Sequence, residues 1–240
     1  MHNIITICKR EVSSFFDSLM AYIIIIVFLG LSGVFTWLFG TDIFFQGQAS
    51  LSAFFGVSFW TLFFFIPAVT MRTLAEERRS GTLELLATKP VTDLQIVVGK
   101  WFASWLLIVF SLIPTVIYYI TVANLGNIDN GAVIGGYISL LLISGVYVSI
   151  GVFSSSLTSN QIVAFILSLF IAFFFQFLFN MLNSLVPGML ANFFSYLSLS
   201  THFHQMSRGV ISFADVIYML SLILLGMVLA TVSLRRRVWS

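Results

Sequence analysis

Charge is what this sequence has least of. Eleven Lys and Arg and nine Asp and Glu make up 8% of 240 residues, where a soluble domain carries about 25%. A water-facing surface needs roughly 25–35% charged residues to stay dispersed, so a soluble enzyme is excluded and the solvent must be lipid. Cysteine is nearly absent too. Cys8 stands alone, which excludes an intrachain disulfide framework and any CxxC metal or redox motif. A phosphate-binding loop is also missing. At the one Gly-Lys pair, Gly99-Lys100, Leu94 occupies the place of the first glycine of G-x-x-x-x-G-K-(S/T) and Trp101 that of the Ser or Thr. Any ATP must therefore be hydrolysed by another chain.

What the sequence does have is long apolar runs. A bilayer core about 30 Å thick needs roughly 20 apolar residues in helix. Six runs meet that length, over residues 20–41, 51–71, 101–123, 132–157, 161–183 and 216–234, and they predict an all-α polytopic membrane protein with a single six-helix domain over 20–240. None of the six contains a charged residue or a histidine. Ion-coupled carriers and proton pumps keep such groups inside the membrane, so the runs offer no obvious machinery for proton- or sodium-driven transport. With the N-terminus inside, Lys9, Arg10, Arg72, Arg78, Arg79, Lys89, Lys100, Arg235, Arg236 and Arg237 all fall on the inner side and only Arg208 on the outer. That bias predicts six spans with both termini cytoplasmic. A seventh candidate, the uncharged stretch from residue 187, would reverse it. Its Asn192, Ser195, Ser198, His202, His204 and Gln205 are too polar for lipid, and residues 187–215 are expected to form an outer re-entrant or interfacial segment.

The first nineteen residues follow another pattern. Ile4, Cys8, Val12, Phe15 and Leu19 recur at helical spacing, with Lys9, Arg10, Ser13 and Asp17 opposite. This predicts an amphipathic helix in the inner headgroup layer, the alternative being a plain extension of the first span. Residues 72–100 form the one sizeable inner segment. Arg72 to Arg79 can prolong the second span as a charged helical turn or two until Ser80-Gly81 breaks it. A short helix over 82–88, with Leu83, Leu85 and Leu86 on its sticky side, ends at Lys89-Pro90. Thr92 and Gln95 then read as a capping box opening the next helix. Leucines exposed in a cytosolic loop call for a protein partner, where a charge run by itself would be a solvated surface.

Those residues carry a resemblance. Glu76-Glu-Arg-Arg-Ser-Gly-Thr-Leu-Glu-Leu-Leu-Ala-Thr-Lys-Pro-Val-Thr92 resembles the cytoplasmic signature of ABC-2 type transporter permeases. A second stretch, His202-Phe-His-Gln-Met-Ser-Arg-Gly-Val-Ile-Ser-Phe-Ala-Asp-Val-Ile-Tyr218, is similar to the pattern before the last helix in the gliding-motility and nitrous-oxide-reductase-maturation branches. The opening Lys9-Arg-Glu-Val-Ser-Ser-Phe-Phe16 points to the gliding-motility branch. The resemblance implies a non-catalytic subunit of the bacterial inner membrane, forming a translocation pathway with a second permease chain, identical or not. ATP and Mg would be bound by a cytosolic ABC ATPase, with no cofactor on this chain and no nucleic-acid partner. By the same analogy residues 1–19 are the connecting helix and 82–88 the coupling helix. The ATPase-coupling set becomes Glu76, Glu77, Arg78, Gly81, Thr82, Leu83, Glu84, Leu85, Leu86 and Pro90, and the outer motif His202, Arg208, Gly209 and Asp215.

Polar residues within and beside the runs complete the candidates. Ser168, Ala172, Gln176 and Asn180 form an i+4 row in the fifth span, with Asn183 beyond. The row suits either a route between two permease chains or glue within one bundle. Gly145, Ser149, Gly151 and Ser155 give small-x-x-x-small spacing and predict close helix packing. His202 and His204 could supply two metal ligands, but no Cys, and no Asp or Glu nearer than Asp215, completes a set. Arg208 and Asp215, about 10.5 Å apart along a helix axis, are expected to meet different partners. An autonomous channel or secondary carrier, and a membrane scaffold, are the competing functions.

Overall fold

Backbone groups in lipid have no partner but one another, so each long apolar run closes its hydrogen bonds as a helix. The computed structural model describes residues 2–38, 49–82, 91–185 and 187–235. Among these there is no strand, and six helical stretches are long and apolar enough to cross a membrane. Helix α1 (His2–Asp17) precedes the first span, α2 (Leu19–Trp37). The second span is α3 (Ser52–Thr70) with α4 (Ala75–Arg79), and the third is α5 (Asp93–Leu112) with α6 (Val116–Leu125). The fourth is α7 (Asn130–Leu157), and the fifth is α8 (Gln161–Phe173) with α9 (Phe179–Leu185). Two short helices, α10 (Met189–Leu197) and α11 (Leu199–Met206), lead into the last span, α12 (Phe213–Arg235).

Helix α7 is the hub. Of its most apolar stretch 72% is buried, against 22% for the fifth span, and α3, α5, α8, α11 and α12 all pack on it. Small residues permit the approach. A Cβ on Gly151 would run into Thr70 Oγ1, and one on Gly226 would lie 2.8 Å from Ser149 Cβ. Most buried serines of α7 do not seek partners across helices. Ser139, Ser144, Ser149 and Ser154 donate to the carbonyls of Gly136, Leu141, Val146 and Ile150 at 2.7–2.9 Å, within their own helix.

Three spans are less regular than the apolar pattern implies. The second does not simply continue into its charged end: the chain turns at residues 71–74 and restarts at Ala75. Ser155 of α7 repairs the break, its hydroxyl accepting from the Leu74 and Ala75 N–H groups at 3.0 and 2.9 Å and donating to the Met71 carbonyl at 3.0 Å. In the third span a 3₁₀ turn at Ile113–Thr115 holds Pro114, which cannot donate to the helical ladder. In the fifth a π turn occupies Phe174–Leu178.

The amphipathic N-terminal helix is present, but its apolar side is spent on protein. Ile7 and Phe15 are its buried residues, and it lies along α5 so closely that a Cβ on Gly99 would stand 2.8 Å from Ile7 Cγ2. Leu19, expected on the same stripe, is exposed and begins α2. The capping box forms as expected, with Gln95 N–H donating to Thr92 Oγ1 at 3.3 Å and Thr92 N–H to Gln95 Oε1 at 3.2 Å. At the far end of the sequence Arg235 Nε comes within 3.8 Å of Asp93 Oδ2. The first helix, the charged end of the second span and the end of the last span thus share one end of the bundle.

Candidate functional site

At that shared end an ionic cluster ties three elements together. Lys100, in the second turn of α5, is only 1% exposed, and its ammonium lies 3.0 Å from Glu11 Oε1 on α1 and 2.9 Å from Glu77 Oε1 on α4. Arg10 reaches the same two oxygens from outside, at 2.7 and 3.3 Å. A buried ammonium is tolerable only with such partners, because removing water from it costs several kcal/mol. Burial alone would push the Glu11 carboxyl up. Lys100 and Arg10 outweigh it and hold Glu11 below the usual carboxylate value. One oxygen of the set, Glu77 Oε2, is buried with no hydrogen-bond partner among the described residues.

The signature residues divide around this cluster. Glu77 belongs to it, whereas Glu76 is exposed beside it. Arg78 turns the other way and donates to the Ser156 carbonyl at 3.4 Å. Gly81 has φ +72°, a left-handed conformation that a side chain would strain, and it ends the charged turn. Thr82 Oγ1 donates back to the Glu77 carbonyl at 3.4 Å. Leu83, Glu84, Leu85, Leu86 and Pro90, with the short helix expected through them, lie outside the described residues. Sequence reasoning missed Lys100, counting it as one more inner charge. The signal was its place between Val97-Val98-Gly99 and Trp101, where a lysine must either leave the apolar face or find a carboxylate there.

The outer motif also assembles, through a pair that the sequence spacing did not suggest. Asp215 Oδ1 meets His202 Nδ1 at 2.6 Å, and His202 Nε2 meets the Tyr196 carbonyl at 2.9 Å. The imidazole stacks on Tyr218, whose hydroxyl donates to the Leu197 carbonyl at 2.6 Å. Both His202 and Asp215 are buried. With a carboxylate on one ring nitrogen and a carbonyl on the other, His202 is occupied on both sides and clamps α10 and α11 to α12. Arg208 is exposed and takes no part. Gly209, at φ +87°, turns the chain after α11 against the start of α7, where a Cβ would lie 3.0 Å from Ala132 N. His204 faces outward, and burial together with Arg208 holds its imidazole below the usual histidine value.

The polar row of the fifth span is not continuous. Ser168, Ala172 and Gln176 are buried, but Asn180 is exposed and Asn183 half-buried. Each i+4 step turns about 40° around an α-helix of 3.6 residues per turn, so a row of four residues, three steps long, winds off any single face. Gln176 stays inside through the π turn, its Oε1 accepting from the buried Tyr147 hydroxyl of α7. This contact lies within one bundle. Gln176 Nε2 and Ser168 Oγ are buried without partners among the described residues.

The family model described as ABC-2 family transporter protein matches residues 46–239, well over half of the chain. The chain belongs to the ABC-2 transporter family. Comparison with curated proteins gives no match. The matched range of this ABC-2 protein takes in five spans, the Lys100 and Glu77 end and the His202 and Asp215 clamp, while α1 and α2 precede it. Six apolar helices and the family together make it a multi-pass membrane protein, a membrane subunit of a transporter.

Proposed function

We propose that this chain is the transmembrane permease subunit of an ATP-driven exporter or importer. It forms the translocation pathway with a second permease chain, identical or related, and is driven by a separate cytosolic ATPase that binds ATP and Mg. The basic end of the bundle faces the cytoplasm of a bacterial inner membrane, and the ATPase engages the segment that follows Gly81. The His202 to Tyr218 stretch fits the gliding-motility and nitrous-oxide-reductase-maturation branches alike, and the opening Lys9 to Phe16 motif favours a gliding-motility system. The observation that carries this reading is the Glu11, Glu77 and Lys100 cluster. It joins α1, the charged end of the second span and the start of the third, so force applied to the neighbouring segment would move all three as one body rather than bend a loop.

The test is co-purification in mild detergent with ATPase subunits encoded beside this chain. Burying each leucine of the segment is worth about 1.5–3 kcal/mol, so Leu83→Asp with Leu86→Asp should release the ATPase while the chain stays in the membrane. Normal recovery of the ATPase with the double variant, together with normal function in cells, would sink the assignment.

A further inference from the structure

A cavity of about 610 Å³ opens at the basic end, between α1, the start of α2 and the turn joining α3 to α4. Its volume is that of a small-ligand site. Its charges fall into two groups. Arg10, Glu11 and Lys100 on its wall are already engaged with one another and with Glu77. Arg72 and Glu76 also line it, and their side chains have no hydrogen-bond or ion partner among the described residues, while Glu77 Oε2 is buried and unsatisfied. The unengaged groups open to the cavity are therefore one guanidinium, Arg72, and one carboxylate, Glu76. Ser14 adds a hydroxyl, and Phe15 and Met20 give the wall an apolar part where α2 enters its span.

From this juxtaposition we propose that the cavity binds the head of an ethanolamine phospholipid. A lone anion would meet Glu76 and Glu77 as well as Arg72, and a lone cation would meet Arg72. A zwitterion satisfies both. The phosphate of such a head accepts from Arg72, Ser14 and the free edge of Arg10, and its ammonium donates to Glu76, the exposed carboxylate on the wall. A charged donor on a carboxylate makes the stronger kind of hydrogen bond, and the Glu76 side chain has no other donor among the described residues. This requirement separates ethanolamine from choline, whose methylated nitrogen carries no proton to donate. Phe15 and Met20 favour a lipid over the free head group, since they continue the site toward the acyl chains. The inference does not depend on an ATPase partner, because binding is read on this chain alone.

The experiment is native mass spectrometry of the full chain, released from detergent in the presence of equal amounts of phosphatidylethanolamine, its N-methylated series ending in phosphatidylcholine, and phosphatidylglycerol. A charge-assisted hydrogen bond contributes about 1.5–3 kcal/mol, so ethanolamine lipid should be retained about tenfold over choline lipid and over glycerol lipid. Retention should fall along the methylation series, which requires no altered protein. Arg72→Gln with Glu76→Gln, both at exposed positions, should bring the three lipids level while the thermal midpoint holds. Equal retention of all three by the unaltered chain would overturn the proposal, as would undiminished ethanolamine preference in the double variant. Soluble glycerophosphoethanolamine competing at the same concentration as the lipid would overturn a lipid as the occupant.

Discussion

Lys100 places a full charge where almost none of its surface meets solvent, and its neighbours decide whether the fold tolerates it. Replacing it with Met removes the buried counter-ion and leaves Glu11 and Glu77 with only the half-exposed Arg10 between them, where breaking a buried pair outright costs about 3–5 kcal/mol. The expected result is a clear drop in the thermal midpoint of the purified protein. Adding Glu11→Gln and Glu77→Gln to Lys100→Met should recover much of the loss, because an uncharged set carries no such penalty. An unchanged midpoint in the single variant would mean that water reaches the site. Acid should act on the same cluster. The Glu11 carboxyl sits below its ordinary value in the folded chain, so its contribution is present above the ordinary carboxylate value and is lost as pH falls through the folded one. The thermal midpoint of the unaltered chain should therefore fall more steeply below about pH 4.5 than that of Glu11→Gln, starting near the reference value. Parallel curves would count against the pair.

Among the elements, the broken second span depends on a side chain from another helix. Ser155→Ala would strip the Leu74 and Ala75 N–H groups of their acceptor, and leaving a buried donor unsatisfied costs about 1–3 kcal/mol. We expect faster amide exchange at residues 71–79 and a lowered midpoint in Ser155→Ala, with Ser155→Thr closer to the parent. Unchanged exchange would show that the turn holds without the hydroxyl. Much of this level was legible in the sequence. Apolar length found the six spans, periodicity found α1, and the Thr92 and Gln95 spacing found the start of α5. What stayed hidden depends on distance in space. Nothing in one dimension joins residues 11, 77 and 100, or brings His202 to Asp215 across thirteen positions. Nor does the i+4 spacing of Ser168 and Asn180 announce a π turn between them. Ser155 was visible only as a small residue suited to packing, whereas its hydroxyl turned out to hold a broken helix.

For the whole molecule, the distribution of Lys and Arg predicts a direction across the membrane, and the structure brings the first helix and the end of the last span to one end of the bundle. A reporter active only on the far side of the inner membrane, fused after Ser240, should be silent, and the same reporter inserted after Gly188 should be active. Activity after Ser240 would require an odd number of crossings. The hydroxyl-rich hub has a consequence for how the molecule is made. The serines of α7 answer to their own carbonyls, apart from Ser155, whose partners lie in the earlier second span, so the fourth span can leave the insertion machinery into lipid without waiting for the fifth and sixth to emerge. Lys100 has no such independence. Its two carboxylates are synthesised before it, and α5 can settle at its final depth as soon as the lysine appears, so the basic end can be assembled before the hub itself has been translated.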